Sequence, residues 1–250
     1  MSATHHVFLS PHLDDAVLSC GGMIVQLAQA GHVVQVVTVF SGDPPPGALT
    51  PFAQSLHQRW QADYADRRRE DRESLSMIGA GAIQWPYPEA IYRHDRETGA
   101  ALYDSESSIF GEVHPADAPT LASIVDRLRA VDSSAQVMAP LAAGHHVDHQ
   151  IVRAAAESAA REVAYYEDYP YVESPDVRDA AMQGRGWTAE VVYLSDDDIR
   201  AKAAAIWAHR SQMSTFFSGE AEMAQRVRAY ACLVGGEGRP AERVWRLRRG

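Results

Sequence analysis

Apolar and polar positions alternate in blocks along the chain, and the blocks have different periods. Val7-Phe8-Leu9 is a continuous apolar run ended by Ser10-Pro11, which predicts a buried strand feeding a loop. From Ala16 to Ala30 the apolar residues Val17, Leu18, Ile24, Val25, Leu27 and Ala28 recur at helical spacing and stop at Gly31. Val33 to Phe40 is again nearly continuous and rich in valine. Strand, helix and strand in so short a span make a βαβ unit with parallel strands, and helices on both faces explain why the strands do not alternate.

The same reading continues downstream. Ser41 to Pro51 is a Gly/Pro-rich loop, and a charged helix over Phe52 to Ile78 is closed by Gly79. Ala82 to Trp85 predicts a third strand, Leu121 to Val131 a helix, and Gln136 to Ala139 a fourth strand stopped by Pro140. An alanine-dense helix starts at Val147 or His149 and runs to Arg161. Glu162 to Tyr166 and Val191 to Leu194 are further strand candidates, and Ser195 with Asp198 forms a capping box opening a helix over Ile199 to Gln212. Residues 86 to 119 have no sustained period, and a loop of that length is more often functional than idle. No repeat or linker interrupts the chain. The expectation is one α/β domain over residues 1–250, Rossmann-like, with a mostly parallel sheet and helices on both faces.

Composition narrows the partners. With 46% hydrophobic and 22% charged residues over 250 positions the chain is globular, and a net charge of -10 disfavours nucleic acid and anionic membranes. Arg243, Arg246, Arg248 and Arg249 crowd the C-terminus and read as a solvated tail, and His5 and His6 read as exposed. Cys20 and Cys232 allow one disulfide at most, and Cys20 falls inside the first helix. The first residues lack a basic n-region, and Gly21 to Phe40 is too often broken by polar residues to span a bilayer. The expected location is the cytoplasm. Whether copies associate as a homo-oligomer is left open by the sequence.

Two clusters carry chemistry. Ser10-Pro11-His12-Leu13-Asp14-Asp15 follows the first strand, and Gly144-His145-His146-Val147-Asp148-His149 follows the fourth. Ligands of open parallel sheets bind outside the carboxyl ends of the strands, at a topological switch point. His12 and Asp15 stand three apart, as do His146 and His149, and His145 with His149 gives an alternative pair four apart. Two imidazoles and a carboxylate, with a fourth position left to water, are the ligands of a catalytic zinc site. Calcium and magnesium prefer oxygen cages, whereas iron or cobalt could use the same ligands. The remaining carboxylates could serve as a general base, and a spare histidine could face an oxyanion or protonate a leaving group. There is no G-x-G-x-x-G, H-E-x-x-H or G-x-S-x-G, so dinucleotide binding, zincin and serine-hydrolase readings drop out.

The PHLDD run with Leu18-Ser19-Cys20-Gly21-Gly22, and HHVDH far downstream, resembles the PIG-L / LmbE-like family of zinc-dependent N-deacetylases. That family carries (A/S)-H-P-D-D-E after its first strand and H-x-D-H in a later loop. The resemblance implies that His12, Asp15 and His149 bind zinc and that Asp14 is the general base. It implies that His146 stabilises the oxyanion or protonates the leaving amine, with Asp148 as its orienter. Leu13 replaces the usual proline and Ala16 the usual glutamate, so whatever support that glutamate gives is missing here.

Arg67-x-x-Glu70 resembles the family's R-x-x-E helix, which would bring Arg67 to a sugar hydroxyl or phosphate; a charge on a solvated helix face is the competing expectation. The segments Pro88 to Arg93 and Tyr166 to Tyr171 look like those of a branch found near sugar-modifying genes. They make Glu89, Tyr92, Arg93, Glu167 and Asp168 candidate substrate contacts. The implied reaction is deacetylation of an N-acetylglucosamine-type sugar or glycoconjugate, a small-molecule partner. An amidase acting on a thiol-sugar conjugate and a catalytically silent sugar-binding protein are the alternatives.

Overall fold

The computed structural model describes residues 3–159 and 162–248. The first βαβ unit is β1 (His5–Ser10), α1 (Asp15–Gln29) and β2 (Val33–Thr38), followed by α2 (Pro51–Trp60), α3 (Tyr64–Met77) and β3 (Gly81–Gln84). The irregular stretch holds two 3-10 turns (Ala90–Tyr92 and Pro115–Asp117) and one short α-helix, α4 (Glu106–Ile109), before α5 (Ala118–Arg129), β4 (Gln136–Pro140), α6 (Val147–Ser158) and β5 (Val163–Tyr166). The remainder is α7 (Pro175–Ala181), β6 (Trp187–Tyr193), α8 (Asp196–Ala208), α9 (Arg210–Phe216), α10 (Glu220–Gly235) and β7 (Ala241–Leu247).

The seven strands of the described residues form one sheet in the order β3-β2-β1-β4-β5-β7-β6. β1 to β5 are parallel, and β7 pairs antiparallel with both β5 and β6. From β1 the chain proceeds outward through β2 and β3, and from β4 it proceeds the other way to β5. The direction therefore reverses between β1 and β4, whose carboxyl ends deliver the two histidine-aspartate loops to one crevice. In β1, Phe8 packs with Leu18, Ile24 and Ile206 on one face, while Val7 and Leu9 pack with Ile124, Ile151 and Val152 on the other. A third small core holds Leu13, Tyr64, Ile91, Tyr92, Tyr103 and Val147. Leu13, where the family has proline, is thus a packing residue under the site.

α1 is held from the C-terminal half of the chain. The buried Glu242 carboxylate accepts the backbone N–H groups of Gly22 and Met23, and pairs with the buried Lys202 ammonium at 2.7 Å. A Cβ on Gly22 would lie 2.5 Å from Leu194 Cδ1, so this close approach requires glycine. A Cβ on Gly21 would meet Lys202 Cγ at 2.9 Å, so packing at both positions accounts for a Gly-Gly pair that fits no phosphate-binding pattern.

Several expectations are corrected. The long helix over 52–78 is two helices: Gln61 adopts a left-handed φ of 51°, and the Asp63 side chain caps α3 by accepting the Asp66 N–H. The charged periodicity runs through this local break and hides it. The helix over 199–212 likewise divides into α8 and α9 at His209, whose ψ of 54° is not helical. The C-terminal arginines are not a solvated tail. Arg243 and Arg246 lie in β7, Arg243 pairs with Glu167, and Arg248 donates to the Trp187 carbonyl. Arg249, and the expected end of α6 at Arg161, lie outside the described residues. His6 is buried in β1, and His5 is half-buried with a bond to Gln35. Cys20 is buried and Cys232 half-buried, both free. Among the described residues no helix is long and apolar enough to cross a membrane.

Candidate active site and metal centre

The loop after β1 is closed by its own side chains. Ser10 Oγ donates to the His12 carbonyl at 2.6 Å and accepts the Ala16 N–H, while the His12 N–H binds Asp15 Oδ2 at 2.8 Å. These bonds place His12 and Asp15 on one side of the α1 N-terminus. In the second loop Ala142, Gly144 and His145 all have positive φ. Gly144 is required there, because a Cβ would meet the Tyr171 ring at 2.7 Å. The turn ends with His146 at the N-cap of α6, its Nδ1 accepting the Asp148 N–H, and puts Asp148 and His149 in the first helical turn.

The two loops meet. His12 Nδ1 lies 3.2 Å and His149 Nε2 3.3 Å from the same Asp15 oxygen. One candidate ligand atom from each of the three residues falls within 4.8 Å of the other two. His149 Nε2 is buried with no hydrogen-bond partner, whereas its Nδ1 faces Asp168 Oδ1 at 2.7 Å. Buried polar atoms are seldom left unpaired. An imidazole nitrogen turned toward a neighbouring carboxylate oxygen, with a carboxylate behind the ring, has the arrangement of a metal-binding histidine. The residues present therefore fit a divalent ion. His12, His146 and Asp148 form a second close group, but the Asp148 oxygens are already occupied by Arg93, the Ala90 N–H and His12.

The electrostatics agree. Burial works against the charged forms of His12 and His149, yet Asp148 and Asp15 raise His12 well above its ordinary value, and Asp15 and Asp168 raise His149 to about 9. Burial would raise the Asp15 carboxyl, but His149 and His12 hold it well below the usual range. A field that draws protons onto two imidazoles equally attracts a cation. Asp14 behaves oppositely: burial first, then the Asp15 charge, raises it to about 7. It stands at the N-cap position of α1 without using its side chain as a cap, and lines the cavity instead. His146 is pushed well below its ordinary value by burial and by His12. It is a neutral ring, and because Nδ1 accepts a backbone N–H, its proton sits on Nε2.

Asp148 is placed differently from the resemblance. Its carboxylate contacts His12 Nε2 at 2.9 Å and Arg93 Nη1 at 2.6 Å, so it orients His12; His146 receives only the Asp148 backbone. The cause is the position in α6: the Asp148 side chain is drawn toward the Ala90 N–H and the Arg93 guanidinium, away from the N-cap histidine.

A cavity of about 220 Å³ opens above this floor, lined at depth by Asp14, Arg67, Glu89 and His146. Arg67 does not lie on a solvated face. It is buried against the Trp60 and Tyr64 rings, with Nη1 2.8 Å from Glu89 Oε1. Glu70 instead holds Ser211. The other four candidate contacts are not in the cavity lining. Tyr92 is buried against His57, and Arg93 bridges Asp117 and Asp148. Leaving β5, Glu167 turns to Tyr230, Arg243 and Trp245, while Asp168 turns to His149 and the Ala143 N–H. Neighbours at a strand exit point opposite ways, so one anchors β7 and the other backs the metal ligand.

The lining residues that sequence reasoning missed are mostly apolar: Trp60, Phe110, Tyr171 and Phe216. The four-residue spacing of Phe52, Leu56 and Trp60 was the available signal. A larger groove of about 1020 Å³ crosses the amino end of the sheet beside His6 and His32, away from these groups. One expectation follows for Asp168: Asp168→Ala, which frees the His149 ring, weakens metal affinity by about 10–100-fold in chelator competition. Unchanged affinity would contradict the backing role.

Comparisons with known proteins bear on the family and the fold. The chain is 27% identical over 236 residues to a 2'-N-acetylparomamine deacetylase of Niallia circulans, covering 86% of this chain and 83% of that protein. The zinc-inhibited form of the teicoplanin deacetylase Orf2 superposes with a TM-score of 0.86 at 28% identity, covering 99% of both chains. The A40926 pseudoaglycone deacetylase Dbv21 gives 0.77 at 25% identity over 99% of this chain and 98% of that one. A profile of the PIG-L family, described as GlcNAc-PI de-N-acetylase, matches residues 7–160, a span that begins in β1 and holds both histidine-aspartate loops. The chain therefore belongs to the PIG-L, or GlcNAc-PI de-N-acetylase, family.

Proposed function

We propose that this protein is a metal-dependent sugar N-deacetylase that hydrolyses the acetamide of an N-acetylglucosamine-type sugar or glycoconjugate. The observation that carries the reading is the convergence of His12, Asp15 and His149 beside the unliganded carboxyl of Asp14, at the floor of a cavity that also presents Arg67 and Glu89. The relatives named as deacetylases of 2'-N-acetylparomamine and teicoplanin support the same reaction class.

We assign zinc to the two imidazoles and one carboxylate, with iron and cobalt compatible; when bound, the ion polarises the acetyl carbonyl and acidifies water. Asp14 accepts the proton of the attacking water, a task suited to a carboxyl that burial has raised to about 7. The Nε2–H of neutral His146 donates to the oxyanion of the tetrahedral species. Asp14 then passes its proton to the departing amine nitrogen, since the His146 proton is engaged by the oxyanion. Asp148 fixes the His12 ring and Asp168 the His149 ring. Arg67 and Glu89 offer a donor and an acceptor to ring hydroxyls. Two free cysteines fit a reducing compartment, and we place the protein in the cytoplasm.

The test is acid release from a panel of N-acylated amino sugars by the metal-loaded protein. Acetate and free amine in equal amounts are expected. A larger acid, from a thiol-sugar conjugate and not from N-acetyl sugars, would assign the amidase reading instead. Binding of sugar with no acid from any substrate would make the chain a silent binding protein.

A further inference from the structure

One wall of the cavity comes from α9, an element with no part in the reaction described above. The backbone leaves the helical path of α8 at His209, and α9 then brings Gln212, Thr215 and Phe216 to the cavity at the three- and four-residue spacing of one helix face. Gln212 is the buried polar member of this face, at 5% exposure.

The orientation of its amide is fixed by a chain of bonds that starts on α3. Glu70 Oε2 accepts the Ser211 hydroxyl at 2.6 Å, and both Glu70 oxygens lie 3.3 Å from the Ser211 N–H. A carboxylate accepts and does not donate, so the single hydroxyl proton of Ser211 is engaged by Glu70. Ser211 Oγ is left to accept, and it accepts from Gln212 Nε2 at 3.0 Å. Turning the amide over would set two acceptor oxygens against each other. The Gln212 carbonyl oxygen is therefore directed away from Ser211, and among the described residues no group donates to it. Arg67 and Glu70, one turn apart on α3, thus act on the same cavity in two ways: Arg67 lines it, and Glu70 sets an acceptor on α9.

Buried acceptors are seldom left without a donor, and this one belongs to a cavity wall. We infer that Gln212 is a specificity-determining residue whose side-chain carbonyl accepts a hydrogen bond from a ring hydroxyl of the substrate sugar. This rests on the deacetylase reading of the same site and adds to it the part played by α9. The acetamide nitrogen is met by Asp14 in that reaction, which leaves the ring hydroxyls as the donors of the sugar. Glu70 and Ser211 are positioning residues that act through Gln212. The bond forms when the sugar binds and persists through the reaction, so its loss falls on KM and not on kcat.

The experiment measures acetate release by the metal-loaded full chain from methyl N-acetylglucosaminide and from its 3-, 4- and 6-deoxy analogues. Each sugar is given to the unaltered protein and to Gln212→Met, which keeps the length of the side chain and removes the carbonyl. On the parent sugar the variant is expected to lose about tenfold in kcat/KM, through KM. One deoxy analogue is expected to lose about as much with the unaltered protein and to be insensitive to Gln212→Met, because its bond is already absent. Unchanged kinetics of Gln212→Met on the parent sugar, or the same loss on the parent and on all three analogues, overturns the inference and leaves the deacetylase reading standing. If Gln212→Met does not fold, Ser211→Ala, which frees the amide to turn, carries the same comparison. A loss on the parent that vanishes on one analogue is again the expected result, and its absence overturns the inference. No acetate from any of the four sugars with the unaltered protein overturns the deacetylase reading and the inference with it.

Discussion

Asp14→Asn lowers kcat for acetate release by roughly 10²–10⁴-fold while KM and metal content stay close to those of the unaltered protein. Asparagine keeps the shape of the side chain but cannot accept the proton of water. The carboxyl lies in the cavity wall, does not cap α1, and is raised to about 7 by burial and the Asp15 charge. The sign of the pH dependence follows. A base works only when unprotonated, so the rate falls as pH drops through the Asp14 pKa. A bound cation favours the charged carboxylate, which moves that acid limb to or below about 7. The limb should disappear from what activity remains in Asp14→Asn. A pH–rate profile of both proteins checks this. Loss of less than about tenfold, with the acid limb retained, would assign the proton to another group.

Asp148→Ala produces the largest structural effect. Its carboxylate is fully buried and serves three partners: Arg93 Nη1, the Ala90 N–H and His12 Nε2. Removing it leaves the buried Arg93 guanidinium with Asp117 as its remaining carboxylate partner. Breaking a buried pair in this way costs about 3–5 kcal/mol, which for a chain of this size lowers Tm by roughly 6–20 °C. The Arg93 charge holds the Asp148 carboxyl well below the usual carboxylate range, against the burial that would raise it. The stability this pair supplies is therefore present above the unfolded carboxylate pKa and is lost as pH falls through the folded one. The His12 ring is also released, so metal affinity falls along with stability. Thermal unfolding of the metal-free protein separates the two effects. A Tm within a degree or two of the unaltered protein would contradict the role given to Asp148.

How far the sequence predicted these results differs between parts of the molecule. The parallel half was readable because each strand is an unbroken apolar run and each helix has its own period and stop, as in β1, α1 and β2. The histidine-aspartate loops were readable because both follow such strands. The antiparallel half was readable only in part: the Val191 to Leu194 run marks the end of β6, but β7 reads Ala-Glu-Arg-Val-Trp-Arg-Leu, a half-polar strand whose arginines are neutralised by Glu167 and Glu190, partners distant in sequence. The breaks at Gln61 and His209 escaped notice because neither is glycine or proline.

At the site, spacing offered the two clusters and the resemblance implied the ligand set, but neither gave the direction in which a side chain points. Glu167 and Asp168 are adjacent, yet one anchors β7 and the other backs His149. Asp148 was expected to support His146 and supports His12, because Arg93 and the Ala90 N–H lie on that side. Arg67 read either as the R-x-x-E arginine of the resemblance or as one charge among several on a polar helix, and only the packing of Trp60 and Tyr64 shows that it is buried. Such choices depend on residues brought in from elsewhere in the chain.

The central claim is that His12, Asp15 and His149 hold one ion at which N-acetyl sugars are hydrolysed. Elemental analysis of metal per chain tests it most directly, on the unaltered protein beside Asp15→Ala and His149→Ala, with acetate release measured on the same samples. The account predicts about one zinc or other transition-metal ion per chain in the unaltered protein, and loss of both metal and acetate release in the two variants. A protein that stays free of metal after zinc, iron and cobalt are offered, or variants that keep both metal and activity, would contradict it.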